Sequence, residues 1–217
     1  MDRILEPEIM NDELQAIAYA KADFSSSNQM FVDGLIETYG ARLGTVLDLG
    51  CGPGDIPIRL ARAKSSVYVI AVDASEVMVS LAHEAAETAN LLQRVRVVRG
   101  RIPGLRLRAG GFDAIVSKDL LHHLPEPMVL WDEVKRLGRP GAVVYVMDLF
   151  RPESEGAAME IVESVSRNEH EILKKDFYNS LLAAFTPDEA RAQLVEAGLN
   201  LEVDVVSERH MRIRGLL

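Results

Sequence analysis

The run VLDLGCGPGD, residues 46–55, constrains this chain more than any other stretch. An apolar segment ends in an acid, Asp48, and then breaks into glycines at positions 50, 52 and 54. Glycine tolerates positive φ and allows a ligand or a neighbouring backbone to come where a Cβ would intrude. A strand that gives way to such a loop and then to a helix is the ligand-facing turn of an open α/β sheet, whose ligands sit beyond the carboxyl ends of the strands.

The remainder of the chain supplies the other parts of such a sheet. Short β-rich runs occur at Thr45–Leu49, 67–72, Val95–Arg99, 112–117 and 142–148, several of them apolar throughout, as expected of strands buried on both faces. Helical periodicity fills the gaps at Asp55–Ala63, 75–90 and Met128–Leu137, with Ser75 as an N-cap and Gly138 with Pro140 as a stop. Alternating strands and helices imply right-handed crossovers and a doubly wound parallel sheet with helices on both faces. Residues 1–40 read as a helical preface, and 157–184 as a mostly helical insertion. Thr186 to Glu189 reads as a capping box opening a helix that Gly198 ends, and 201–217 alternates like two strands around a turn near 208–210. One domain over 1–217 is expected: a cap (1–40), a core (41–150), a lid-like insertion (151–185) and a closing segment (186–217).

Composition narrows the function classes. A net charge of −9 argues against a sequence-independent grip on nucleic acid. The single cysteine, Cys51, excludes an internal disulfide, and no paired Cys/His spacing of a zinc site is present, so no metal is expected. The first residues lack an apolar stretch of signal-peptide length and no run approaches a membrane span, so a soluble, cytoplasmic protein is expected. Oligomeric state, a homodimer included, is left open.

The glycine spacing also bears on the ligand. A dinucleotide loop of the form G-x-G-x-x-G requires a third glycine at position 55, where Asp55 stands, and presents its helix N-terminus to a pyrophosphate. Acids at 48 and 55 repel phosphate and favour a ligand with a cationic end. Asp48-x-Gly50-x-Gly52-x-Gly54 after a strand, VDAS closing the second strand and FDAIVSKDLLHHLPEP around the fourth together resemble the class I S-adenosylmethionine-dependent methyltransferases, in particular the ubiquinone/menaquinone type that acts on small molecules. The resemblance covers residues 40–150 and implies a seven-stranded Rossmann-like sheet whose last strand is antiparallel.

By that resemblance Asp48 and the backbone of Gly50, Cys51 and Gly52 hold the methionine part of S-adenosyl-L-methionine. Asp73 takes the ribose hydroxyls, Ala74 and Met78 pack on the adenine, and Ser117 and Lys118 touch the methionine part through their backbone. An acid often reads the adenine amino group after the third strand, but here Arg101 cannot accept that bond, which leaves the backbone at Gly100 and Arg101 or the side chain of Ile102. Of the adjacent histidines, His122 is expected to face the site and His123 to turn away, since neighbours on a helix point about 100° apart. Cys51 reads as a small filler rather than a nucleophile, because acids surround it. Tyr19 in the preface and His170 and Tyr178 in the insertion are the substrate candidates, with Phe24, Phe31, Met159, Phe177 and Asn179 in the same two segments. The expected activity is metal-free methyl transfer to a small molecule by direct displacement, with the acceptor atom open among oxygen, carbon, nitrogen and sulfur. Two alternatives remain beside it: an RNA or protein acceptor, and a cofactor-binding module without turnover.

Overall fold

A computed structural model describes residues 1–6, 16, 19, 20, 22–167 and 169–217. The seven strands β1 (Thr45–Leu49), β2 (Tyr68–Asp73), β3 (Val95–Arg99), β4 (Phe112–Lys118), β5 (Gly138–Leu149), β6 (Glu202–Val205) and β7 (His210–Leu216) form one sheet in the order β3-β2-β1-β4-β5-β7-β6. β1 to β5 pair in parallel, and β7 runs antiparallel between β5 and β6. The doubly wound class, the seven strands and the reversed last strand agree with the expectation.

Among the described residues from Ser25 onward the α-helices are α1 (Ser25–Tyr39), α2 (Asp55–Ala63), α3 (Glu76–Thr88), α4 (Met128–Leu137), α5 (Glu155–Val165), α6 (Glu171–Ala183) and α7 (Pro187–Ala197). Period-two alternation along the strands explains how they are sorted. Val46, Ala114, Val116, Val143 and Tyr145 pack against Phe31, Leu35, Ile56 and Leu60 of α1 and α2, whereas Leu47, Leu49, Ile115, Val144 and Val146 pack against Leu130, Trp131 and Val134 of α4 and Leu194 of α7. Full burial of side chains of this size is worth about 1.5–3 kcal/mol each, which makes this two-sided sheet the main source of stability. Local signals set the boundaries: the Ser75 side chain accepts from Met78 N, Thr186 and Glu189 form a reciprocal capping box, and Gly198 ends α7 at φ 68°.

Three expectations change. The preface is not helical from its start, because residues 1–6 carry no regular secondary structure; 7–15, 17, 18 and 21 lie outside the described residues. The insertion divides into α5 and α6, with Ser154 capping the first and His170 the second. β5 begins directly at Gly138, so the helix stop is also a strand start.

The glycines turn out to serve different neighbours. A Cβ at Gly54 (φ +91°) would lie 3.0 Å from Ala82 Cβ and 3.1 Å from Ala82 Cα in α3, and one at Gly50 (φ +74°) would lie 3.0 Å from the Leu120 side chain; at Gly52 (φ +51°) nothing stands within 4 Å. Of the three, only Gly52 looks onto open space. Gly54→Ala is therefore expected to cost more than 2 kcal/mol in urea unfolding, from backbone collision added to about 1–2 kcal/mol of left-handed strain, while Gly52→Ala costs the strain alone.

Candidate active site

A cavity of about 780 Å³ opens at the carboxyl ends of β1, β2 and β4 and continues to α6. Such a volume lies within the usual range for small-molecule sites. Gly50, Gly52, Asp73, Ala74, Met78, Gly100, Arg101, Ile102, Lys118, His122 and Tyr19 line it, each a residue expected from the sequence. A smaller adjoining cavity of about 360 Å³ is bounded by Asp48, Cys51 and the same glycines.

Asp48 is buried on the first strand, and its Oδ2 has no hydrogen-bond partner among the described residues. Burial, reinforced by the neighbouring Asp73, raises its pKa to about 7. A desolvated carboxylate of this kind suits a cationic ligand group. Asp73 ends β2 with both oxygens engaged by the loops: Gly52 N donates to Oδ2 and Ser75 N to Oδ1, each at 2.9 Å. It thereby ties the glycine loop to the start of α3, yet it faces the cavity and each carboxylate oxygen can accept again. Burial raises its pKa, against those backbone bonds. Cys51 packs with Ala71 and Ala82, and burial followed by Asp48 and Asp73 pushes its thiol pKa well up, as a filler role requires.

Not every expected residue arrives at the cavity. Ser117 is buried outside the cavity lining, and its hydroxyl donates to Leu49 O at 2.8 Å, tying β4 to β1. His170 is exposed, and its Nδ1 accepts from Ile172 N to cap α6. Tyr178 packs with Leu149, Ala158 and Leu181 between the insertion and the sheet. Both point away because the face of α6 that meets the cavity carries Leu173, Phe177 and Ser180. Phe31 lies in the core edge-on to Tyr145, and Met159 is exposed. Tyr19, its ring tilted against that of Phe24 with centroids 4.7 Å apart, does border the cavity, as do Phe24, Phe177 and Asn179.

The histidine pair is also corrected. Leu121–His123 form one 3-10 turn, and both rings border the cavity with centroids 4.1 Å apart. His122 is buried, with Nδ1 2.6 Å from Asp148 Oδ1, while Leu121 N donates to Asp148 Oδ2 at 2.7 Å. With Nδ1–H bonded to the carboxylate the neutral ring carries its lone pair on Nε2, and against burial Asp148 and then Glu6 raise the ring's pKa. Glu6 reaches the same place from the other end of the chain, its Oε1 3.5 Å from His122 Nε2 and 2.9 Å from His123 Nδ1. Its segment is held by Arg3, whose guanidinium donates to the carbonyls of His122, Leu124 and Ala183 and lies 3.7 Å over the Phe185 ring. Asp119 and His123 belong to the FDAIVSKDLLHHLPEP stretch, whereas Asp148 and Glu6 carry no local motif that would have marked them in the sequence.

A methyltransferase-domain family model matches residues 46–141. The chain is 30% identical over 173 residues to a ubiquinone biosynthesis O-methyltransferase of Xanthomonas axonopodis, covering 79% of this chain and 68% of that protein. It is also 30% identical over 157 residues to a 27-O-demethylrifamycin SV methyltransferase of Amycolatopsis mediterranei, covering 72% of this chain and 54% of the relative. In structure it is similar to an S-adenosylmethionine-dependent methyltransferase of Aquifex aeolicus, with a TM-score of 0.72 at 20% identity, covering 93% of this chain and 97% of that one. The chain belongs to the class I S-adenosylmethionine-dependent methyltransferases, an enzyme family whose small-molecule branch it matches.

The orphaned Asp48 carboxylate, the open face of Gly52 and the Asp73 carboxylate at the end of β2 fit the cofactor's cationic amino-acid end and its ribose. Because the folded Asp48 holds its proton up to about pH 7, the folded state binds a proton there more tightly than the unfolded chain between about pH 4 and about pH 7. This contribution lowers stability as pH rises across that window and is constant above it. The stability difference between Asp48→Asn and the parent is therefore expected to move in the variant's favour at about 1.4 kcal/mol per pH unit across that window, read by urea unfolding at several pH values.

Proposed function

We propose that the enzyme methylates a small-molecule acceptor bound beside Glu6, His122 and His123, between the 121–125 loop and α6. The observation that carries this reading is the single cavity joining the glycine loop, where the cofactor fits, to the histidine pair and to α6. When bound, S-adenosyl-L-methionine supplies a methyl group already activated by its sulfonium, so the protein's task is placement and exclusion of water. Asp48 and the Gly50–Gly52 backbone hold the amino-acid end, Asp73 the ribose, and Met78, Ala74 and Ile102 offer apolar surface to the base. His122, fixed by Asp148, presents Nε2 to an acceptor hydroxyl. Leu173 and Phe177 on one side and Tyr19 and Phe24 on the other give that part of the cavity an apolar wall.

Oxygen is favoured as the acceptor atom, since one relative is named an O-methyltransferase and the other for an O-demethylated substrate. The acids on the cavity wall, Glu6, Asp73 and Asp119 among them, support a small molecule over RNA, whose phosphates they would repel.

Asp73→Ala is expected to weaken S-adenosylhomocysteine binding by about 1–3 kcal/mol, and to weaken the 2′-deoxy ligand less, in calorimetric titrations. Equal losses for both ligands would assign Asp73 to loop anchoring alone. His122→Ala should slow methyl transfer more than it weakens cofactor affinity; an unchanged rate would make the residue structural. Incubation with methyl-labelled cofactor and cell extract should put label into small molecules. Label in macromolecules, or none at all, would support the protein or RNA acceptor or the binding module instead.

A further inference from the structure

Glu6 Oε1, His122 Nε2 and His123 Nδ1 all lie within 4.8 Å of one another at the inner wall of the cavity. We infer that these three atoms form a binding site for one divalent transition-metal ion of the zinc class, with an open position facing the acceptor. The inference rests on the proposed function for its acceptor and replaces the direct approach of His122 Nε2 to the acceptor hydroxyl by an approach through the ion, while the metal site itself stands on geometry alone.

Four observations support it. Ligands of a tetrahedral zinc ion at 2.0–2.1 Å stand about 3.4 Å from each other, and the separations here are 3.5 Å (Glu6 to His122) and 2.9 Å (Glu6 to His123). Asp148 Oδ1 bonds His122 Nδ1 at 2.6 Å, the carboxylate–histidine pairing that fixes the tautomer and directs the other nitrogen at a metal. His123 Nδ1 is buried 2.9 Å from Glu6 Oε1, so imidazole and carboxylate already converge on one point. Asp148 and Asp119 lie near the His122 ring, Asp119 itself paired with Lys118, while Ser180 Oγ donates to the Glu6 carboxylate and holds it in place. Two imidazoles and one carboxylate with a position left open is the donor set of catalytic rather than structural sites.

The consequence for substrate choice is specific. A cation there would hold an acceptor hydroxyl by its oxygen and ease loss of its proton to water, favouring alcohols, phenols or enols over amines already protonated at neutral pH. This revises the expectation of a metal-free site, which rested on the lack of paired Cys/His spacings. An adjacent histidine pair completed by a glutamate more than 110 residues away has no local spacing to find.

The test uses the full chain, untagged and stripped with chelator, titrated with Co²⁺ and Zn²⁺. One equivalent should bind, with the visible absorption of four- or five-coordinate cobalt. His123→Ala and Glu6→Gln should each weaken Zn²⁺ binding at least tenfold, and Asp148→Asn by about 10–100-fold. The exposed His83→Ala and His170→Ala should leave it unchanged. No binding, binding indifferent to His123→Ala and Glu6→Gln, or loss on removing the exposed histidines would overturn the inference. S-adenosylhomocysteine titrated into the same preparation keeps the two conclusions apart: cofactor binding without metal binding overturns only the metal site, and metal binding without cofactor binding overturns only the cofactor reading.

Discussion

β1 and β4 pair side by side in parallel, although the chain builds β2 and β3 on the far side of β1 before it returns. Because the helix after β1 packs on one face and the helix after β4 on the other, the two loops leaving these strands must diverge. The crevice between them is an unavoidable product of the strand order. Every group in the site is placed by reference to it: the glycine loop forms one lip and residues 117–125 the other. Asp73 crosses from β2 to hold the first lip, and Asp148 crosses from β5 to hold the second.

The two lips differ in chemistry. On the glycine side the acids are desolvated and raised, Asp48 to about 7, a setting that rewards a cation arriving from solution. At the other lip each acid already has a cation or histidine: Lys118 pairs with Asp119, Asp148 with His122, and Glu6 with both histidines. Binding at the first lip satisfies a charge left incomplete by folding. Binding at the second must exchange partners within a balanced cluster, which is where proton or metal chemistry belongs.

Much of this was legible in the sequence wherever a residue's role depends on near neighbours. The Thr186–Glu189 box, the Ser75 cap, the strand runs and the Asp48-to-Gly54 loop are local features, and they fell where their patterns placed them. The glycines were legible as a group but not singly: one avoids α3, one avoids Leu120 and one faces the cavity, and that division depends on packing between elements. His170 and Tyr178 were misplaced because helical periodicity does not tell which face of α6 meets a sheet and which meets a cleft. His123 was set aside by the angle between helical neighbours, yet its ring lies 4.1 Å from that of His122 and borders the same cavity. Asp148 and Glu6 depend on contacts spanning 26 and 116 residues, beyond the reach of any local pattern.

Arg3 bonds carbonyls on both the 122–124 turn and the end of α6, 60 residues apart in sequence, and covers the Phe185 ring. A single guanidinium thus rivets the second lip to the insertion. Those three carbonyls gain their charge-assisted partner from Arg3, and the same segment brings Glu6 to the cavity wall. Parting the second lip from the insertion would break these charge-assisted bonds at once, whereas the Tyr19–Phe24 contact on the cavity wall is one between tilted, uncharged rings.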